Sequence, residues 1–270
     1  MDAADVERLS LLVERKGWKA FNGKLRGVNE STEDVLIKFL SKMTAPQKLL
    51  AMDLMEEYFI IKDYTDPAID LLREICARTN SPLKIAPVKV KGTEKVKSGD
   101  ALLYEMDCNQ NVVEDRDIKF SNDPYSPNFW DSDTTKILVD DFIGTGEQFK
   151  EMINSLKADG INPQIDYVAT LVIQQAGLEK IQDLGIQVIA LHTRPKALEA
   201  LAQKSGRDLA EIRRIYLEIE EKTSCISNLR FGYLRSEATV TMKRTPDNTL
   251  PIFWHEGDRG WPAPFLRKTK

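Results

Sequence analysis

The sequence is poor in cysteine and histidine, the residues that build disulfide frameworks and structural zinc sites. It contains three cysteines and two histidines among 270 residues. Cys76, Cys108 and Cys225 lie far apart, and no Cys-x-x-Cys pair occurs. A structural zinc ion needs clustered cysteine and histidine ligands. The sequence therefore argues against structural zinc, and we expect free thiols.

Long apolar runs are missing as well. No segment approaches the ~18 consecutive apolar residues that a membrane-spanning helix requires. The first residues, Met1 to Asp5, are acidic and do not form the apolar core of a signal peptide. We therefore expect a cytoplasmic protein without a membrane partner.

An excess of positive charge is also absent. The chain has 38 Lys and Arg against 42 Asp and Glu, so its net charge is −4. Affinity for nucleic acid depends on many basic contacts to phosphates, which argues against a protein that clamps nucleic acid by itself. The run Gly-x-x-x-x-Gly-Lys-Ser/Thr does not occur, which excludes a P-loop nucleotide site.

The sequence does contain a helical pattern followed by alternating strands and helices. Residues 1–80 show apolar spacing typical of amphipathic helices, and apolar strand patterns begin at Leu83. Further strands are predicted at 137–141, 167–173 and 186–191, with helices between them, whereas 108–130 is predicted to be an excursion or lid before the central strand. Such alternation implies an α/β fold with a parallel sheet flanked by helices. We predict this α/β domain over residues 81–270, preceded by a helical N-terminal extension over residues 1–80.

The most informative segment runs from Ile137 to Gly146. An apolar run ends in Asp140 and Asp141 and passes through a glycine-containing turn into a helix predicted from Glu147. Ligands of open α/β sheets bind beyond the carboxyl ends of the strands, and the start of a helix favours an anion. Carboxylates accept hydrogen bonds from vicinal hydroxyls. The ligand that this arrangement implies is a sugar phosphate with free hydroxyls.

At this point the sequence resembles the signature of the type I phosphoribosyltransferases, in which apolar residues precede two acidic residues, a short spacer and Thr-Gly. The resemblance implies a sheet of phosphoribosyltransferase type. It also implies that Asp140 and Asp141 are the catalytic pair, holding the ribose hydroxyls of phosphoribosyl pyrophosphate (PRPP). The following turn would bind the 5′-phosphate. Its residues are Ile143, Gly144, Thr145, Gly146, Glu147 and Gln148.

The resemblance further implies Mg²⁺ as a cofactor that is bound through the substrate, without direct protein ligands. In the family, a Thr or Ser usually donates a hydrogen bond from its hydroxyl to the phosphate. This chain has Gln148 at that position, and the amide of Gln148 is also a donor. A haloacid dehalogenase motif is excluded, because Phe142 stands where a second Asp would be required. An ordinary strand-to-helix turn, capped by Asp and broken by Gly, is the structural alternative.

A basic segment between Lys89 and Asp100 is a second candidate for anion binding. The resemblance implies that Lys97, Ser98 and Gly99 belong to a pyrophosphate loop or to a flexible loop that closes over the pyrophosphate, and a solvated surface turn is the alternative.

The segment from Arg244 to Trp254 resembles the closing segment of a divergent phosphoribosyltransferase-like family found beside bacterial reverse transcriptases, in retron-type antiphage systems. Lys97–Ala101 and Phe231–Tyr233 extend the resemblance. It implies a defence effector acting on PRPP or a nucleotide-like molecule at ribose C1, with a reverse transcriptase, a nucleic-acid complex or another defence protein as partner. A homo-oligomer is compatible with this. The alternative is a non-catalytic sensor or interaction subunit of the same system, and nucleobase salvage is disfavoured. The pattern alone also suggests a short edge strand that buries Phe253 and Trp254.

Overall fold

The protein is described here from a computed structural model that covers residues 1–21, 30–92, 98–113, 116–130, 133–257 and 260–267. Its contacts divide the chain into two compact units. The first unit consists of Met1–Ile60 and Lys196–Lys270, and the second consists of Ile61–Pro195.

The second unit is built on a five-stranded sheet with the order β3-β2-β4-β5-β6. All neighbouring strands are parallel. The strands are β2 (Leu83–Pro87), β3 (Ile118–Phe120), β4 (Thr135–Ile143), β5 (Tyr167–Gln174) and β6 (Gln187–Arg194). The central strands are apolar because parallel strands are covered on both faces. This confirms the predicted α/β class with a parallel sheet.

Helices cover this sheet on both sides. They are α4 (Thr65–Arg78), α5 (Ser98–Cys108), α6 (Glu147–Ala158) and α7 (Gln175–Gln182). Leu138 of β4 and Val168 of β5 share a buried cluster with Phe149 and Met152 of α6. Helices α4 and α5 instead contact each other and the sheet strands. The amphipathic face of α6 therefore explains its position over the middle of the sheet.

The first unit combines the N-terminal helices with the C-terminal part of the chain. Its helices are α1 (Ala3–Arg15), α2 (Thr32–Ser41), α3 (Ala45–Glu56), α8 (Ala197–Ser205) and α9 (Leu209–Glu220). A two-stranded parallel pair joins β1 (Phe59–Ile60) to β7 (Val240–Thr241). Aromatic side chains from both ends of the sequence form its core, where Tyr58 and Phe265 have ring centroids 4.4 Å apart.

These units differ from the boundary that the sequence predicts between residues 80 and 81. Helix α4 lies within the predicted extension, yet its contacts belong to the sheet. The N-terminal helices share their core with Ile252, Phe253 and other residues near the C-terminus. Apolar periodicity shows that a helix has a face to bury, but it does not identify the surface that buries it. The prediction that residues 1–80 and 81–270 are separate domains stays a prediction.

Two local expectations were wrong. The predicted excursion at 108–130 contains β3, which pairs with β2 through Leu83↔Ile118 and Ile85↔Phe120. The predicted edge strand near the C-terminus is a 3₁₀ helix, Pro251–Phe253. Proline at the first helical position favours this turn, because proline lacks the N–H that a strand would donate. Phe253 and Trp254 are nevertheless buried, as expected.

Among the described residues, none of the helices has both the length and the apolar content needed to cross a membrane.

Candidate functional site

The paired acids lie near the carboxyl end of the central strand β4. Ile137, Leu138 and Val139 are completely buried between β2 and β5. Asp140 and Asp141 follow directly and are 7% and 2% exposed. The sheet geometry thus places two carboxylates at the edge where ligands of parallel α/β folds bind.

A tyrosine that the sequence analysis missed contacts these acids. The hydroxyl of Tyr64, the residue before α4, donates a hydrogen bond to Oδ2 of Asp141. The backbone N–H of Asp141 donates to Oδ1 of Asp140 over 3.0 Å. A buried carboxylate is stabilised by such donors, which also limit its rotation. No sequence pattern marks Tyr64, because it is 77 residues from Asp141.

Helix α5 approaches the same acids through its first turn. A Cβ added to Gly99 would lie 3.1 Å from Oδ1 of Asp140 and 3.3 Å from the carbonyl oxygen of Val139. Ser98 and Gly99 are therefore helical residues beside the acids, whereas the sequence suggested a loop there. Lys97 lies outside the described residues. Lys89, the residue two positions beyond β2, forms an ion pair with Asp100 at 3.6 Å.

The turn after β4 has the backbone form that the glycines predict. Gly144 and Gly146 are buried, and Thr145 is half-buried. Gly146 has φ +76° and is the N-cap residue of α6. A side chain would be strained at this φ, so glycine is the residue best suited to lead the chain from the strand into the helix. The first N–H groups of α6 are consequently presented close to the end of β4.

Ile143, Glu147 and Gln148 complete the predicted turn. Ile143 points into the core under α6. Glu147 forms an ion pair with Lys180 of α7, and this hydrogen bond lowers the pKa of the Glu147 carboxyl. Gln148 donates its amide to the carbonyl oxygen of Val88 over 3.3 Å. The amide of Gln148, nominated as a phosphate donor, is thus engaged with the backbone in this structure.

The strand register places further polar residues at the same edge of the sheet. Asp140 pairs with Thr170 of β5, and Phe142 pairs with Val172, whose partner on β6 is His192. His192 is exposed, and its pKa is lowered by partial burial and by Arg194. An imidazole with a lowered pKa is mostly neutral near pH 7 and can accept a proton. No sequence pattern marks His192 as a site residue, since only the register of β6 places it at this edge.

This arrangement supplies acceptors and donors suited to different parts of one ligand. The carboxylates can accept hydrogen bonds from vicinal hydroxyls, and the N–H groups at the start of α6 can donate to an anion. In the described ranges, no group of three or more His, Cys, Asp or Glu side chains could hold a metal ion. The carboxylates of Asp140 and Asp141 carry oxygen atoms, the type of ligand that Mg²⁺ prefers in proteins.

The chain belongs to the PRTase-CE family, whose model matches residues 29–267. PRTase abbreviates phosphoribosyltransferase, so the protein is phosphoribosyltransferase-like. None of the curated proteins matches it.

Several solved phosphoribosyltransferase structures share a limited likeness with this chain. Orotate phosphoribosyltransferase from Francisella tularensis has 20% identity and a TM-score of 0.35, over 57% of this chain and 75% of that one. The Aeropyrum pernix enzyme has 19% identity and a TM-score of 0.31, over 53% and 75%. The Mycobacterium tuberculosis enzyme in complex with PRPP has 10% identity and a TM-score of 0.31, over 70% and 95%. At these values no residue role is transferred from them.

Proposed function

We propose that the protein binds PRPP or a related ribose phosphate, with Mg²⁺, at the end of β4, and that it transfers or cleaves at ribose C1. One observation carries this proposal. Two buried carboxylates at the end of the central strand are followed by a turn in which Gly146 has φ +76° and starts a helix. Membership of the PRTase-CE family supports the same ligand class.

In this proposal Asp140 and Asp141 accept hydrogen bonds from the ribose 2′- and 3′-hydroxyls. Tyr64 would keep Asp141 oriented, because its hydroxyl already occupies one oxygen of that carboxylate. The two negative charges would also stabilise positive charge that develops on the ribose ring as the bond at C1 breaks. The role of these acids is thus positioning combined with electrostatic stabilisation.

The 5′-phosphate would lie over the turn from Ile143 to Gln148. Backbone N–H groups of Gly146 and of the first turn of α6 are the donors that favour it. With Mg²⁺ bound near Asp140 and Asp141 together with the substrate, the site would gain stabilisation of the negative charge on the leaving group. Ser98 and Gly99 remain candidates for contact with pyrophosphate, because their helix begins beside Asp140.

The biological setting that we propose is an antiphage system of the retron type in the cytoplasm, with a reverse transcriptase, nucleic-acid complex or other defence protein as partner. The support is the resemblance of the segment from Arg244 to Trp254 to proteins found in such systems. The neighbouring genes test this point. A reverse transcriptase gene beside this one would support it, and a nucleotide-biosynthesis operon would contradict it.

A second candidate function is a sensor that binds the ribose phosphate without reaction. Two contacts favour it, since Gln148 donates to Val88 and Glu147 is paired with Lys180. Fewer side chains are then available to a phosphate than the motif suggests. Release of pyrophosphate from PRPP and Mg²⁺, in the presence of bases, nucleotides and single-stranded nucleic acids, distinguishes the two. A sensor would bind PRPP but release no pyrophosphate.

Calorimetry with PRPP and Mg²⁺ tests the site itself. Asp141→Asn removes a negative charge and is expected to weaken PRPP binding about tenfold or more while the fold is retained. Asp183→Asn is the matched control, because Asp183 caps the far end of α7. Unchanged PRPP affinity in Asp141→Asn would contradict the assignment.

A further inference from the structure

At Gly177, helix α7 packs directly against the backbone of the turn from Ile143 to Gln148, where the 5′-phosphate is proposed to bind. A Cβ added to Gly177 would lie 2.4 Å from the carbonyl oxygen of Gly144 and 3.1 Å from Cγ2 of Ile143. A carbon atom is never accommodated at 2.4 Å from a backbone oxygen unless the backbone moves. Glycine at position 177 therefore determines how closely α7 approaches the turn.

Lys180, three residues further along α7, crosses the same turn. Its Cβ, Cγ and Cδ atoms lie 3.2–3.5 Å from the position that a Cβ of Gly146 would occupy. The aliphatic part of Lys180 thus lies along Gly146, while its ammonium group pairs with the carboxylate of Glu147. Both side chains are about one-third exposed, so the pair is accessible to water and ions.

Glu147 presents an electrostatic difficulty for an anion site. It is the first residue of α6, so its carboxylate lies close to the N–H groups that an incoming phosphate would use. An unpaired carboxylate there would repel the phosphate and compete for the same donors. The ammonium group of Lys180 cancels this charge. Such an exposed pair contributes little to protein stability, so we expect its main effect to be on ligand binding.

We propose that α7 positions the turn from Ile143 to Gln148 for binding of a ribose phosphate. Gly177 fixes the position of the Gly144 backbone, and Lys180 neutralises the charge of Glu147. This inference rests on the proposed function and extends it to residues outside the β4–α6 motif. In it Lys180 acts through Glu147 and does not contact the phosphate.

A double-mutant cycle with ribose 5-phosphate as the probe separates charge neutralisation from direct contact. Lys180→Met keeps the aliphatic stem and is expected to weaken binding about tenfold, because Glu147 is then unpaired. Lys180→Arg is expected to bind within about twofold of wild type, since the charge is conserved. Glu147→Gln should bind more tightly than wild type, because the ammonium group of Lys180 is then no longer neutralised. The double variant Glu147→Gln, Lys180→Met should match wild type within about twofold, because in both the pair carries no net charge.

Two results of the cycle would overturn the role of Lys180. If the double variant is as weak as Lys180→Met, Lys180 contacts the anion directly. If Lys180→Met binds as well as wild type, the neutralisation is irrelevant.

The role of Gly177 is tested with Gly177→Ala. The backbone N–H resonances of Gly144, Thr145 and Gly146 are expected to shift in nuclear magnetic resonance spectra, and affinity for ribose 5-phosphate is expected to fall about tenfold or more. Gln182→Ala, on the last turn of the same helix, should leave both unchanged. Resonances and affinity equal to those of wild type in Gly177→Ala would overturn its role.

The two levels of the proposal fail in different ways. A wild-type chain that does not bind ribose 5-phosphate overturns the proposed function, and with it the anion role of α7. Wild-type binding that is insensitive to changes at both Gly177 and Lys180 overturns the role of α7 alone. The test of Lys180 also has a readout without ligand, because the pKa of the Glu147 carboxyl should rise in Lys180→Met.

Discussion

The two compact units differ in how far apart in the sequence their interacting residues lie. In residues 61–195, strands β2, β4 and β5 are each followed by a helix that packs on the same sheet. In the other unit, β1 pairs with β7, so that Phe59 lies opposite Val240. Its core joins Phe39 of α2 to Phe253, with ring centroids 5.7 Å apart.

The two units also differ in backbone geometry. The described residues with positive φ that are not glycine are Ser224, Phe231, Leu234, Arg235 and Glu237, all in the C-terminal part of the first unit. Side chains rarely adopt this conformation unless surrounding contacts compensate for the strain. The positive φ values of described non-glycine residues are therefore confined to the irregular C-terminal turns of the first unit, whereas the sheet unit is built mainly from regular strands and helices.

Cutting the chain after Pro195 should have the largest effect and tests the comparison most directly. Without residues 196–270, Phe39 of α2 loses its aromatic partners Phe253 and Trp261, and Tyr58, just after α3, loses Phe265. We expect α1 to α3 to lose protection against hydrogen exchange, while the strands of residues 61–195 keep theirs. Protected amides in α1 to α3 of the shortened chain would show that residues 1–60 fold without the C-terminal segment.

Phe253→Ala should have the next largest effect. Phe253 is completely buried and contacts both Tyr58 and Phe39. Loss of such an aromatic side chain is expected to lower the free energy of unfolding by about 3–5 kcal/mol, measured by urea denaturation. Leu234→Ala is the control, because Leu234 is 54% exposed and should change stability by less than about 0.5 kcal/mol. Equal effects of the two changes would contradict the assigned core.

Gly232→Ala tests the strained turns. Gly232 has φ +80°, and a Cβ there would lie 2.0 Å from the backbone oxygen of Asn248. We expect a loss of about 2–4 kcal/mol in the free energy of unfolding. Gly185 of the sheet unit has φ +77° but no atom within 4 Å of an added Cβ. Gly185→Ala should therefore cost only about 1 kcal/mol, and a similar cost at both positions would show that the turn around Asn248 adapts.

Two acids should give the smallest effects, with opposite dependence on pH. Burial raises the pKa of Glu220 in the first unit, whereas Lys180 lowers that of Glu147 in the second. A raised pKa means that Glu220 stabilises the fold fully below its ordinary value of 4.5 and loses this contribution as the pH rises through the raised pKa. A lowered pKa means that Glu147 stabilises the fold above 4.5 and loses this contribution as the pH falls through the lowered pKa.

Urea denaturation at several pH values measures both effects. Relative to wild type, Glu220→Gln should gain stability as the pH rises above about 4.5, because the variant no longer has to bury a charge. Glu147→Gln should gain relative stability as the pH falls below about 4.5, where wild type loses its ion pair. Unfolding free energies that run parallel to wild type over pH would contradict these assignments.

Some residues of the candidate site could be predicted from the sequence, and others could not. Asp140, Asp141 and the turn to Gly146 form one continuous segment, so their order along the chain already placed them at a strand end. Tyr64 and Gly177 contact this segment from separate elements, and His192 lies at the same end of the sheet two strands away, and no spacing in the sequence connects them to it. The nominated roles of Ser98, Gly99 and Gln148 remain predictions, because the structure shows only where these residues lie and which groups they contact.

The sequence by itself determined the class of fold and the position of the acidic motif, because period, capping and turn preferences act over a few residues. It predicted β4, β5 and β6, the helices between them and the helices at the start of the chain. Only the tertiary structure decided that α4 packs on the sheet, that β3 adds a strand at its edge, and that Phe59 pairs with Val240. Those choices depend on which apolar surfaces meet after the chain has closed long loops. Apolar periodicity signals that a surface will be buried but does not identify its partner.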